Sequence, residues 1–148
     1  MQQSRGLPRF GWTAMLVVAA CLGGCARSDA EAEVRAGIAQ LQEAIDARDA
    51  GDIEALLADD FVGNDGLDRR GARRLAAGVF LRHRDVAARL GPVTVELRGE
   101  RDAVARFSVL ATGGSGGLLP EQGQLYRVET GWRMSDGDWK LVNASWQR

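Results

Sequence analysis

Residues 126–145 read YRVETGWRMSDGDWKLVNAS, and this stretch decides the fold. Tyr126, Val128, Thr130, Trp132 and Met134 recur at every second position, the period of a strand with one buried face. Asp136-Gly137 is a two-residue hairpin signal, because both central positions of a type I′ turn need positive φ. Alternation resumes at Trp139, Leu141, Asn143 and Ser145. With the turn at 136–137, Met134 faces Trp139 and Trp132 faces Leu141, so large apolar groups meet on one face. This register predicts an inner face carrying Tyr126, Thr130, Trp132, Trp139 and Asn143. The outer face is then expected to carry Leu110, Leu125, Val142 and Trp146 among Arg106, Arg127, Glu129 and Lys140.

Upstream, Ala105, Phe107, Val109 and Ala111 continue a second strand, and Val93, Val95 and Leu97 mark a further one. Thr112 to Gly117 reads as a Gly/Ser loop. No Lys and no helix follow Gly113–Gly117, which excludes a phosphate cradle there. Before Gly91-Pro92 the period is helical. Val34, Ile38, Leu41 and Ile45 form one stripe behind an expected N-cap at Asp29, and Gly51 is the expected stop. Asp52 is expected to cap a short helix, Ile53 to Leu57. Asp68 is expected to cap a third helix running to about Leu90, with Ala72, Leu75, Val79, Val86 and Leu90 inward. Helices first and antiparallel strands after make an α+β pattern.

This order, with Asp52-Ile53-Glu54-Ala55-Leu56-Leu57-Ala58-Asp59-Asp60-Phe61 and the closing Gly137-Asp138-Trp139-Lys140-Leu141-Val142, resembles the nuclear transport factor 2-like superfamily over about residues 30–148. The resemblance implies a cone: three N-terminal helices packed in a curved antiparallel sheet, with a pocket at its open end. Relatives such as ketosteroid isomerase, polyketide cyclase and scytalone dehydratase carry out proton transfer or dehydration with Asp, His or Tyr inside the cone. Here the first helix has no Tyr or His, and the expected inner strand face has no acid, so no catalytic position matches.

The N-terminus carries a second resemblance. Arg5 and Arg9 precede a mostly apolar run, Phe10 to Leu22, too short to span a bilayer readily. The run ends in Leu22-Gly23-Gly24-Cys25, which resembles the lipobox of bacterial lipoproteins. That resemblance implies a signal over 1–24, cleavage after Gly24, acylation of Cys25, a short linker over 25–29, and a domain over 30–148. Ala26, where inner-membrane retention would want Asp, implies the outer membrane, facing the periplasm. A conventional signal peptide with an ordinary Cys25 thiol is the competing reading.

The chain has 19 basic and 20 acidic residues. Without Arg5 and Arg9 the balance is about −3, which excludes a typical nucleic-acid binder. With Cys21 removed and Cys25 acylated, no thiol is left for a disulfide or a metal, and no cofactor or metal is expected. His83, near the edge of the third helix's apolar face, and Asp60 are the candidate general bases. A half-buried histidine with one partner, and a solvated acid, are the plainer readings. Tyr126, Thr130, Trp132, Trp139 and Asn143 are candidates to orient a small apolar ligand. Leu110, Leu125, Val142 and Trp146 are candidates for a dimer face. Arg70, Arg73, Arg74 and Arg84 form a basic stripe that suits anionic lipid or a solvated face. Asn64-Asp65-Gly66 is a turn by composition and lacks the oxygen spacing of a Ca²⁺ loop. The expected function is a lipid-anchored, non-catalytic binding domain; the alternative is an enzyme of isomerase, cyclase or hydratase type.

Overall fold

The computed structural model describes residues 19–114 and 123–148, with side chains over 26–112 and 123–148. The helices are α1 Ala19–Asp46, α2 Ala50–Leu56 and α3 Arg69–Arg82. The strands are β1 Leu57–Val62, β2 Asp85–Leu90, β3 Thr94–Arg98, β4 Asp102–Gly114, β5 Gln124–Ser135 and β6 Asp138–Gln147. They form one sheet in the order β1-β6-β5-β4-β2, with β3 also on β4. β1 pairs with β6 in parallel, and the other pairings are antiparallel. The class is α+β as expected. The sheet is mixed, however, and β1 lies between α2 and α3, so the expectation of three helices followed by a purely antiparallel sheet is corrected.

The apolar stripe of α1 faces the sheet: Val34 and Ile38 are buried, and Leu41 and Ile45 are half-buried. Asp29 is exposed inside α1 and is not its cap, because Ala19-Ala20 and the alanines after Cys25 sustain helix on both sides of Gly23-Gly24. Residues 1–18 of the expected signal lie outside the described residues. At the other end, Arg48 takes the left-handed turn with φ 59°. Asp49, not Asp52, caps α2, accepting from the Gly51 and Asp52 N–H groups at 2.8 and 2.9 Å. Gly51 therefore sits within α2 instead of stopping α1. Asp68 caps α3 as expected, accepting from Gly71 N at 2.6 Å.

α3 stops at Arg82, and Val86 and Leu90 belong to β2. Their spacing of four is even, so it fits a strand as well as a helix turn. The far half of the 13-residue β4 needs a partner beyond β3, and β2 supplies it through pairs such as Ala88 with Ala111.

The Asp136-Gly137 hairpin forms with both φ values positive, and Met134 pairs with Trp139 and Trp132 with Leu141. The alternation does not survive to the chain end. Trp132 pairs with Leu141 but Gly131 pairs with Asn143, so Val142 is an extra residue in β6. Such a bulge reverses the faces beyond it. Asn143 is exposed opposite Gly131, and half-buried Trp146 pairs with inward Val128. The expected places of Asn143 (inner) and Trp146 (outer) are thus exchanged. Asn64 clamps this end of β6: its Nδ2 donates to Trp146 O at 2.9 Å, and its Oδ1 accepts from Trp146 N at 3.3 Å.

Candidate functional site

The space between α1 and the sheet is occupied. Val34 and Ile38 from α1, Leu57 and Phe61 from β1, Phe107 from β4, Trp132 from β5, and Trp139 and Leu141 from β6 share one buried cluster. Trp132 is 1% exposed and lies on Gly37 of α1, where a Cβ would come within 2.8 Å of its Cζ3. Its indole N–H donates to Thr130 Oγ1 at 2.9 Å, and the Thr130 hydroxyl donates to Ala105 O at 3.3 Å. The Trp139 indole N–H donates to Glu33 Oε2 at 2.9 Å. Three of the polar groups expected to orient a ligand are therefore satisfied inside the protein. Tyr126 is half-buried on the same face, opposite Val109.

The two candidate bases are not brought together in this space. Asp60 is exposed on β1, and Arg133 Nη1 donates to its Oδ2 at 3.0 Å. That hydrogen bond holds the Asp60 carboxyl below its usual range, with the positive charge of Arg133 adding to the effect. A base of lowered pKa is a weaker base, the opposite of what proton abstraction needs. The pairing favours the fold above the ordinary carboxylate pKa and ceases to do so as pH falls through the lowered value. Replacing Arg133→Leu should let the Asp60 pKa rise toward its ordinary value in a carboxyl NMR titration; an unmoved titration would contradict this cause. His83 follows α3 as its C-cap, and its backbone N–H donates to Val79 O at 2.9 Å. The residue is half-buried, and its Nδ1 is buried without a hydrogen-bond partner.

A groove of about 760 Å³ runs outside the core, between α1, α2 and the β5–β6 turn. Ala36, Gly37 and Ala44 of α1, Ala47 just after it, and Ala55 of α2 line it with small groups. Glu33, Glu43, Asp52 and Asp138 add carboxylates. Among the described residues none of these four is in an ion pair, whereas eight carboxylates elsewhere each meet an arginine. Lys140, also lining the groove, gives its ammonium to Ala55 O at 3.0 Å. The sequence reading missed this groove. Its only trace is the Ala/Gly-and-Glu composition of the polar side of α1, which is also that of an ordinary solvated helix face.

On the outer sheet face, Leu110 and Leu125 are exposed and directly opposed. Val142 is half-buried at the bulge. Of the basic stripe, Arg73 meets Glu54 of α2 at 3.0 Å. Arg70 and Arg74 are exposed on α3, and Arg84 is exposed just after it. Among the described residues no group of His, Cys, Asp and Glu could hold a metal ion. Among them, too, no helix is long and apolar enough to cross a membrane.

No family model and no curated protein matches the chain. Solved structures do. A protein of Novosphingobium aromaticivorans named as a candidate scytalone dehydratase aligns with TM-score 0.77 at 16% identity, over 84% of this chain and 87% of its own. A hexachlorocyclohexane dehydrochlorinase of Novosphingobium barchaimii aligns with TM-score 0.69 at 19% identity, over 84% and 89%. A nuclear transport factor 2-like protein of unknown function from Pseudomonas putida aligns with TM-score 0.69 at 23% identity, over 81% and 87%. At these identities the likeness gives the fold, which is the nuclear transport factor 2-like one.

Proposed function

We propose that this chain is a lipid-anchored protein of the bacterial envelope, held through acylated Cys25, whose domain acts by binding a partner protein and carries out no catalysis. The observation that carries the binding half is that Trp132, Thr130 and Trp139 find their partners within the protein, while the α1 groove presents Glu43, Asp52 and Asp138, which among the described residues have no ion-pair partner. The lipobox-like Leu22-Gly23-Gly24-Cys25 supports the anchor, with Ala26 favouring the outer membrane facing the periplasm. Three uncommitted carboxylates, with Glu33 beside them, over a floor of small residues suit a segment bearing Lys or Arg. A second copy of the chain would suit the opposed Leu110 and Leu125.

A photo-crosslinking amino acid at Gln40, which lines the groove, tests this reading in cells. One discrete protein adduct is expected, lost when Glu43→Lys and Asp52→Lys reverse the charge. No adduct, or one indifferent to that reversal, would contradict it. The enzymatic alternative has one observation in its favour, the buried unpartnered Nδ1 of His83. It gains support only if a cavity containing His83 takes up a small apolar molecule and His83→Gln abolishes the uptake.

A further inference from the structure

α3 differs from an ordinary surface helix. Residues 69–82 contain five arginines, Arg69, Arg70, Arg73, Arg74 and Arg82, and no acid. Arg69 and Arg73 are committed to Asp59 and Glu54. Arg70, Arg74 and Arg82 are exposed and, among the described residues, have no ion-pair partner; exposed Arg84 continues the series beyond the helix. The same helix exposes two leucines, Leu81 at 86% and Leu75 at 52%, and exposed Val62 lies next to its N-terminal side through the Val62–Asp68 bridge. Leu75 was expected to face inward; Phe80 is buried instead and takes the core position.

At about 100° per residue, Arg70, Arg74 and Leu81 fall within about 40° of one line along the helix. Leu75 and Arg82 share the adjoining flank. Apolar tips thus stand among guanidinium groups on a surface about 21 Å long. An acidic protein would account for the arginines and leave Leu81 unexplained. A bilayer with anionic headgroups accounts for both: arginines at the phosphates, leucines dipping below them. Along the chain, the flanking acids outside the ion pairs are exposed Asp65 and Asp68 before the helix, Asp68 being engaged as its cap, and Asp85, exposed past the C-terminal end.

We infer that the exposed face of α3 docks on anionic phospholipid, a contact separate from the N-terminal anchor and from the α1 groove. An environment-sensitive fluorophore tests it on the full chain with Cys21→Ser and Cys25→Ser, labelled through Leu81→Cys. A label at this exposed site leaves the core untouched, and circular dichroism checks the fold. The probes are vesicles of phosphatidylcholine with and without phosphatidylglycerol. Because the apolar run 10–22 can touch either kind, the test reads where position 81 sits and not whether the chain binds.

On phosphatidylglycerol vesicles the Leu81 label should shift to the blue, and a Leu125→Cys label should not. Arg70→Glu with Arg74→Glu should weaken the response about tenfold or more, since each arginine near an anionic surface contributes substantially. A label that stays in water overturns the inference, and would leave an acidic protein as the partner for the arginines. An equal shift on neutral vesicles, or at Leu125, overturns it too. None of these outcomes bears on the Gln40 crosslink, so the two readings fail separately.

Discussion

Trp132→Ala should cost about 3–5 kcal/mol of unfolding free energy, the range for emptying a buried aromatic site. That is a large share of the about 5–15 kcal/mol available to a domain. The indole is 1% exposed and fills the space between Gly37 on α1 and the β5 backbone. Its loss removes aromatic surface from the core and strands the Thr130 hydroxyl without its donor. Thr130→Val should cost less, about 1–3 kcal/mol, by leaving the buried indole N–H unpaired. The partner glycine makes the test specific. Gly→Ala in a helix normally gains up to about 1 kcal/mol. At Gly37 the added Cβ would stand 2.8 Å from the indole, so the sign should reverse. In the Trp132→Ala background the clash is gone and Gly37→Ala should stabilise, a coupling that a double-mutant cycle in urea reads directly. If Trp132→Ala unfolds within about 1 kcal/mol of the parent, the interior is not packed as described, and a ligand inside the cone returns as the better reading.

The sheet was the most legible part of the sequence. Asp136-Gly137 fixed the hairpin, and the hairpin fixed Trp132 against Leu141, because a two-residue turn allows one register. The same rule failed past Leu141. A bulge adds a residue without any change in composition, so Asn143 and Trp146 exchanged faces unannounced. α3 was overextended because Val86 and Leu90, four apart, satisfy both periods. β1 was missed because Asp59 and Asp60 break its alternation; its pairing with β6 is a long-range fact that local propensity does not record. At the candidate site, the residue types on the inner face could be read, but not their commitments. Whether Thr130 serves a ligand or an indole depends on what stands opposite, and that is set by packing.

The second large effect concerns the anchor. Cys25→Ser should leave an uncut chain, because the acyl acceptor and the cleavage position are lost together. The protein should also move from detergent-requiring membrane material to material released by high pH. Two or three acyl chains, at about 0.8 kcal/mol per buried CH₂, hold a protein permanently, whereas the short run Phe10 to Leu22 does not. The helical path from Cys25 makes the tether short. Residues 26–29 are exposed turns of α1, and Val34 is fully buried nine positions on, a rise of about 13 Å. An anchored domain would therefore sit near the bilayer, within reach of its lipids and of partners in the envelope. Unchanged processing and unchanged detergent dependence in Cys25→Ser would contradict this.

The most direct measurement is the intact mass of the protein purified from a bacterial membrane. A chain that begins at Cys25 and carries diacylglyceryl and N-acyl groups is the predicted result. A chain that begins at Cys25 or elsewhere and carries no acyl mass would contradict the account at its base.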